Sequence, residues 1–135
     1  MDNPGIFSLG DFTITAAGTQ TRDWTTDLEG TLSLSFQARF AYGSGGTTTR
    51  VYLQTSFDQG TTAVDIACIL FETAGEVKLI NLSGLTPKSQ TVPTDGAMSD
   101  DTLLDGFLGD RFRVKIISTG TYAGQTTLST RIMAR

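Results

Sequence analysis

Side chains that commonly carry out chemistry are few and scattered in this chain of 135 residues. His is absent, so a nucleophilic Ser would lack its usual base, and a zinc site would depend on carboxylates and a single Cys. No two Asp or Glu residues occur in a pattern that predicts a carboxylate pair flanking a substrate. The sequence therefore predicts a protein that is not an enzyme and that holds no cofactor.

One irregular segment is rich in aspartate, with Asp95, Asp100, Asp101 and Asp105 close together. Calcium binds several converging oxygen ligands, but this spacing matches no EF-hand register. A solvated acidic loop is the favoured interpretation, no metal ligand is assigned, and cation binding by this loop stays open.

Two further features have structural rather than chemical explanations. The glycine-rich residues 43–49 lack the Gly-Lys-Ser/Thr ending and the following helix of a phosphate-binding loop, so we expect a flexible connection between strands. Cys68 is the one cysteine and lies within the apolar residues 66–71. It is predicted to be a small buried hydrophobe rather than a reactive thiol.

A basic stripe is the clearest charged pattern. Arg111, Arg113 and Lys115 are spaced so that they share one face of a strand, and Arg131 is expected on the matching face of the next strand. The first thirty residues are acidic: they contain five carboxylates and a single basic residue, Arg22. Opposite signs on one chain predict a contact between neighbouring copies, and pairing on a solvated face is the alternative.

Apolar anchors for such a contact are predicted near the N-terminus. Residues 1–9 are interpreted as an extended arm that carries Ile6 and Phe7. Trp24 stands alone in a polar stretch, where it either covers the edge of the core or anchors an interface. The candidate interface residues are therefore Ile6, Phe7, Trp24, Arg111, Arg113 and Lys115.

Alternating apolar residues predict the strands that position these groups. Residues 31–42 alternate most strictly, and residues 51–71 read as a hairpin around a turn at 58–62, with one face of its first strand buried. Further strands are predicted within 6–16, 77–82, 111–119 and 126–134, the last two joined by a hairpin loop. One helical turn is expected over 100–106, after a long irregular loop at 83–101.

These elements predict an all-β protein, a single antiparallel β-sandwich or jelly-roll-like domain over residues 1–135 with a long irregular loop. Its predicted core residues are Leu34, Phe36, Phe40, Leu53, Ile66, Val114 and Ile132. Leu32 and Tyr42 should share the buried face of their strand.

Bulk properties exclude several classes of partner. The net charge is −4, which disfavours nucleic-acid binding, since that needs a concentrated basic face. No apolar run reaches the ~18 residues needed to span a membrane. The N-terminus does not look like a signal peptide, so synthesis in a cytoplasm is expected.

Two segments resemble small β-rich virion proteins of tailed bacteriophages. In residues 51–67, VYLQTSFDQGTTAVDIA, a strand ending in Gln-x-Ser-x-Asp-x-Gly precedes a strand that begins near Asp-Ile. Residues 108–115, LGDRFRVK, followed by GTYAG at 120–124, are similar to the last hairpin of that group. This chain has Ala63 where the pattern often carries Trp.

The resemblance implies a non-enzymatic structural component of a virion, above all a multi-copy capsid decoration or stabilising protein. A head–tail connector or tail protein is the alternative within that group. The implied partners are other copies of the chain and major capsid or tail proteins, with no membrane and no nucleic acid. A carbohydrate-binding sandwich is the alternative from another class, and it would need exposed aromatic residues, for which Trp24, Tyr42, Tyr52 and Tyr122 are available.

Overall fold

The computed structural model describes residues 4–135, which form eleven strands and no helix. Every strand pairing in this range is antiparallel. The strands are β1 Gly5–Thr13, β2 Gly18–Thr21, β3 Ser33–Ala41, β4 Ser44–Gly45, β5 Thr48–Ser56, β6 Val64–Phe71, β7 Glu76–Ser83, β8 Thr102–Leu103, β9 Arg111–Thr119, β10 Tyr122–Ala123 and β11 Thr127–Ala134.

Two sheets pack face to face. Sheet I has four strands in the order β1-β11-β3-β7, and sheet II has five in the order β2-β9-β5-β6-β8. β4 and β10 form a separate two-stranded ribbon. The prediction of an all-β antiparallel sandwich is confirmed.

The core lies between the two sheets and follows the alternation seen in the sequence. In β3, Leu34, Phe36 and Phe40 point inward and are at most 2% exposed. In sheet II, Leu53 and Ile66 are fully buried. All seven predicted core residues are buried, which confirms that assignment, because period-two alternation directs one face of each strand towards the core.

Two local predictions around these strands are wrong. β3 begins at Ser33, so Leu32 precedes the strand and is 56% exposed, while Tyr42 follows it and is half-buried. The predicted helical turn at 100–106 is absent, because Thr102 and Leu103 form β8 and pair with β6. An isolated turn is a costly nucleus, whereas pairing extends an existing sheet.

The N-terminal region is also corrected. Residues 5–9 belong to β1, which pairs with β11 through Phe7↔Ile132, and Leu9 is 3% exposed. They are therefore not an extended arm, because pairing with β11 and burial of Leu9 fix them to sheet I. The first three residues of the predicted arm lie outside the described residues.

The chain changes sheets after β9. Residues 120–124 were predicted to be a hairpin loop, but β9 lies in sheet II and β11 in sheet I. Within the connection, Tyr122 is 2% exposed and packs at the end of the core, and β10 pairs with β4. The glycine-rich residues 43–49 therefore contain the paired strand β4 and are not simply a flexible connection.

A long loop, residues 84–101, lies against the outer surface of sheet II. This cover explains why Tyr52 and Gln54 are buried as well as their inward neighbours. Ser56 is instead buried beside the turn at 58–60, where its hydroxyl donates to Asp58 and accepts from the Gly60 N–H. The prediction that one face of β5 is buried is therefore wrong, since both are. β6 is covered on both faces, as its continuous apolar run indicated.

Candidate functional site

A buried carboxylate attaches the long loop to sheet II. Asp65 on β6 is 1% exposed. Its oxygens accept hydrogen bonds from the Thr94 hydroxyl at 2.8 Å and from the backbone N–H groups of Gly96 and Ala97 at 2.8 and 3.0 Å. A buried charge is costly unless it is hydrogen-bonded, and these donors supply that compensation from the loop itself.

Gln54 connects this carboxylate to the basic stripe. Its Nε2 donates to Asp65 at 2.8 Å and to Asp95 at 2.7 Å, while its Oε1 accepts from Arg113 Nε at 2.8 Å. The side chain is fully buried, and its donors and acceptor are engaged. A hydrogen-bonded chain therefore runs from β6 through β5 to β9, with the loop bound above it.

The basic stripe shares one face of β9, as predicted, but loop residues neutralise it. Lys115 Nζ lies 3.0 Å and Arg113 Nη2 3.8 Å from Asp95, and Arg111 Nε lies 3.1 Å from Asp110. The Gln54 hydrogen bond, followed by the Lys115 contact, lowers the pKa of Asp95 despite an opposing contribution from burial. The stripe binds its own chain, so a contact with the acidic N-terminal residues of another copy has little free charge to use.

Arg131 does not join this stripe. It lies on the outer surface of sheet I, where its guanidinium is 3.2 Å from Asp11. The expectation that it continues the face of β9 is wrong, because β9 and β11 belong to different sheets.

The other loop aspartates are attachments as well. Asp100 forms two hydrogen bonds with Arg50, at 2.6 and 3.2 Å, and this contact lowers its pKa. Asp101 accepts from the Leu70 N–H at 3.1 Å. Asp105 accepts from the Ser83 N–H at 2.6 Å, which lowers its pKa. These aspartates hold the segment in place, and Asp95, Asp100 and Asp101 remain solvent-exposed, as expected of a solvated acidic loop.

Among residues 4–135, no group of three or more His, Cys, Asp or Glu side chains is arranged to hold a metal ion. Cys68 is buried, as predicted, and burial raises the pKa of its thiol to about 11. The described part of the chain has no helix long and apolar enough to cross a membrane.

The apolar interface candidates lie in different places. Trp24 is half-buried: the Arg113 guanidinium is 4.2 Å from the centre of its ring, and Gly60 packs against its Nε1. A Cβ at Gly60 would come within 2.8 Å of that atom, so the indole packs closely against the turn between β5 and β6. Phe7 packs on the core, whereas Ile6 is 73% exposed.

Ile6 belongs to an exposed surface that the sequence did not reveal. We call the outward surface of sheet I the open face. Ile6, Met133 and Leu79 surround a shallow depression in it, whose floor includes Ser35 and Gln37. The alternation of Val77 and Leu79 was visible in the sequence, but it could not show that this side of the strand is exposed.

The aromatic residues do not form a sugar-binding platform. Tyr52 and Tyr122 are buried, at 3% and 2% exposure. The ring centre of Tyr42 lies 6.3 Å from that of Phe40, in the aromatic cluster of the core. Trp24 is half-buried, with the Arg113 guanidinium over its ring. No family model matches this chain, and no similar protein was found among curated proteins.

Proposed function

We propose that the chain is a non-enzymatic structural component of a tailed-phage virion, a decoration or stabilising protein that binds the capsid in many copies. The observation that carries the proposal is the difference between the two outer surfaces of the sandwich. Sheet II is covered by the chain's own loop, whereas the open face presents Ile6, Leu79 and Met133 at 73%, 69% and 42% exposure. Clustered apolar side chains on a rigid surface suit protein binding.

The use of the polar groups supports the same proposal. A catalytic carboxylate needs access to a substrate in a cleft, whereas the carboxylates of Asp65 and Asp95 are committed to holding the loop. Their hydrogen bonds make a firmly closed surface, which suits a particle component that must persist outside a cell. The carbohydrate-binding alternative gains less support, because two of its four aromatic candidates are buried.

The experiment is re-addition of the purified chain to particles made without it, with bound copies counted by quantitative mass spectrometry. The double variant Ile6→Lys/Met133→Lys places charges on the open face, and we expect bound copies to fall at least tenfold. Val92→Lys is the matched control, since Val92 is 86% exposed on the loop over the other sheet.

Equal binding by the double variant would contradict the use of the open face. Absence of the chain from purified wild-type particles would contradict the virion assignment. Gold labelling of bound copies would separate a capsid site from a connector or tail site.

A further inference from the structure

Sheet edges are natural sites for adding another strand, because their outer N–H and C=O groups lack partners. The β1 edge of sheet I is protected against this. A bulge interrupts β1 between Ser8 and Gly10. Beyond it, Arg22 Nη2 donates to the Asp11 carbonyl at 2.5 Å and Gln20 Nε2 donates to the Thr13 carbonyl at 3.1 Å.

The edges of sheet II are protected as well. β2 has four residues and β8 has two, which leaves little backbone to pair. The part of β6 beyond β8 is capped by side chains: Asp101 accepts from the Leu70 N–H at 3.1 Å, and Lys78 Nζ donates to the Leu70 carbonyl at 2.7 Å.

The β7 edge, within the described residues, has a capped end at Ser83, whose N–H donates to Asp105, but it lacks such protection over residues 77–82. Its eight residues pair with β3 without a register shift and include no proline. The Gly84 N–H donates to the carbonyl of Leu32, the residue just before β3. The Ser83 N–H points the other way and donates to Asp105. Because successive residues alternate in direction, Val77, Leu79 and Asn81 direct their backbone groups away from β3.

We propose that β7 is a self-association edge, at which the β7 strand of a second copy pairs antiparallel about a two-fold axis at Leu79. In this register Leu79 lies opposite Leu79 of the second copy, and Val77 lies opposite Asn81. The outward-directed backbone groups of Val77, Leu79 and Asn81 in each strand then find partners, while the Ser83 N–H already donates to Asp105. Strand addition at an exposed edge is an established mode of protein recognition.

The neighbouring registers are less favourable, which selects this one. If the register between the two β7 strands shifts in one direction, Lys78 lies opposite Lys78 of the second copy. Like charges directly opposite each other are destabilising. A shift in the other direction places Val77 opposite Ser83, whose N–H already donates to Asp105. The register centred on Leu79 avoids both problems.

The side chains near this edge also suit a second copy. Pairing brings the exposed side chains of Leu79 and Val77 against those of the partner strand, and Leu103 on β8 is 49% exposed beside the same edge. Lys78 Nζ lies 3.9 Å from Asp101, so the contact carries both signs of charge. An interface made by one pair of eight-residue strands has a smaller area than a standard interface of ~1,600 Å². We therefore expect a weak, concentration-dependent dimer.

The test uses the purified full chain and does not depend on any particle. Analytical ultracentrifugation should show a reversible monomer–dimer equilibrium. Leu79→Lys and Leu79→Glu should each weaken it at least tenfold, because each variant places like charges opposite each other. Mixing the two variants should restore dimers, since Lys then faces Glu. Circular dichroism melts confirm that the variants are folded.

Position 77 supplies the matched control. Val77 of the two copies would be separated by four residues along the strands, or ~13 Å, so mixing Val77→Lys with Val77→Glu should give no comparable recovery. In an independent measurement, Leu79→Cys should form a disulfide-linked dimer on oxidation and Val77→Cys should not, since a hydrogen-bonded pair has Cα atoms ~5.5 Å apart.

Three results would each overturn the proposal. The first is a wild-type chain that stays monomeric up to millimolar concentration. This result counts against self-association even if the β7 edge binds a different protein. The second is failure of the mixed Leu79 variants to associate. The third is equally efficient cross-linking through position 77.

Discussion

The backbone N–H of Gly96 donates to both carboxylate oxygens of Asp65, at 3.0 and 2.8 Å. The two residues are 31 positions apart, so this contact fixes a distant part of the long loop to β6. Gly96 has φ = +82°, and a Cβ there would lie 3.2 Å from Lys115 Cε. Close approach and backbone conformation both favour glycine at this position.

Asp65→Ala should release the loop. The substitution leaves buried donors without an acceptor, and hydrogen bonds to charged groups contribute about 1.5–3 kcal/mol each. We expect the free energy of unfolding to fall by about 2–4 kcal/mol and protease cleavage within residues 84–101 to increase. Asp23→Ala, at an exposed residue, is the control. Unchanged cleavage and stability in Asp65→Ala would show that other contacts hold the loop.

Leu34→Ala and Ile66→Ala should each destabilise the sandwich by about 2–5 kcal/mol, because both leave cavities in a packed core. Urea denaturation measures the effect. Leu85→Ala removes a side chain that is 71% exposed and should change stability by less than about 0.5 kcal/mol. Midpoints equal to wild type in both core variants would refute the assignment.

Deletion of residues 1–9 should destabilise the fold, although the sequence predicted an extended arm there. The deletion removes half of β1, including Leu9 at 3% exposure and the core contact of Phe7. We expect a loss at least as large as the ~2–5 kcal/mol of a large-to-small core change, measured by thermal denaturation. Ile6→Ser, at an exposed position of the same strand, is the control. A deletion variant as stable as wild type would argue against a structural role for β1.

Acid should detach the loop. The folded-state pKa values of Asp95, Asp100 and Asp105 lie below the ordinary value of 3.8. A lowered pKa gives stability that is present above the unfolded-state pKa and is lost as pH falls through the folded-state value. Hydrogen exchange at Gly96 and Ala97, corrected for intrinsic rates, should therefore rise below about pH 3.8 and stay constant between pH 5 and 7. Rates unaffected by acid would contradict this attachment.

The thiol of Cys68 should resist alkylation in the folded protein. Its pKa is raised to about 11 by burial, and the side chain is 1% exposed. At pH 8 the thiolate, which is the reactive form, is scarce. Iodoacetamide should label the chain in denaturant at least a hundredfold faster than in buffer, as measured by mass spectrometry. Equal rates would show that the site opens readily.

Alternation along the chain determined the strands and their inward residues. Leu34, Phe36 and Phe40 could be assigned to the core because a strand repeats every two residues, and a local pattern reports that repeat directly. The apolar run of β6 likewise indicated burial on both faces. The all-β sandwich followed from several such strands with turns between them.

Tertiary structure decided which strands became neighbours and what covered them. Arg131 and Lys115 lie on similar alternating strands, yet they occupy different sheets, because strand pairing depends on contacts between distant residues. Gln54 has the sequence context of a solvent-facing residue but is buried, since Asp65 and Asp95 draw the loop over it. Periodicity shows which side chains share a face, and only long-range packing decides whether that face meets the core, a loop or open surface.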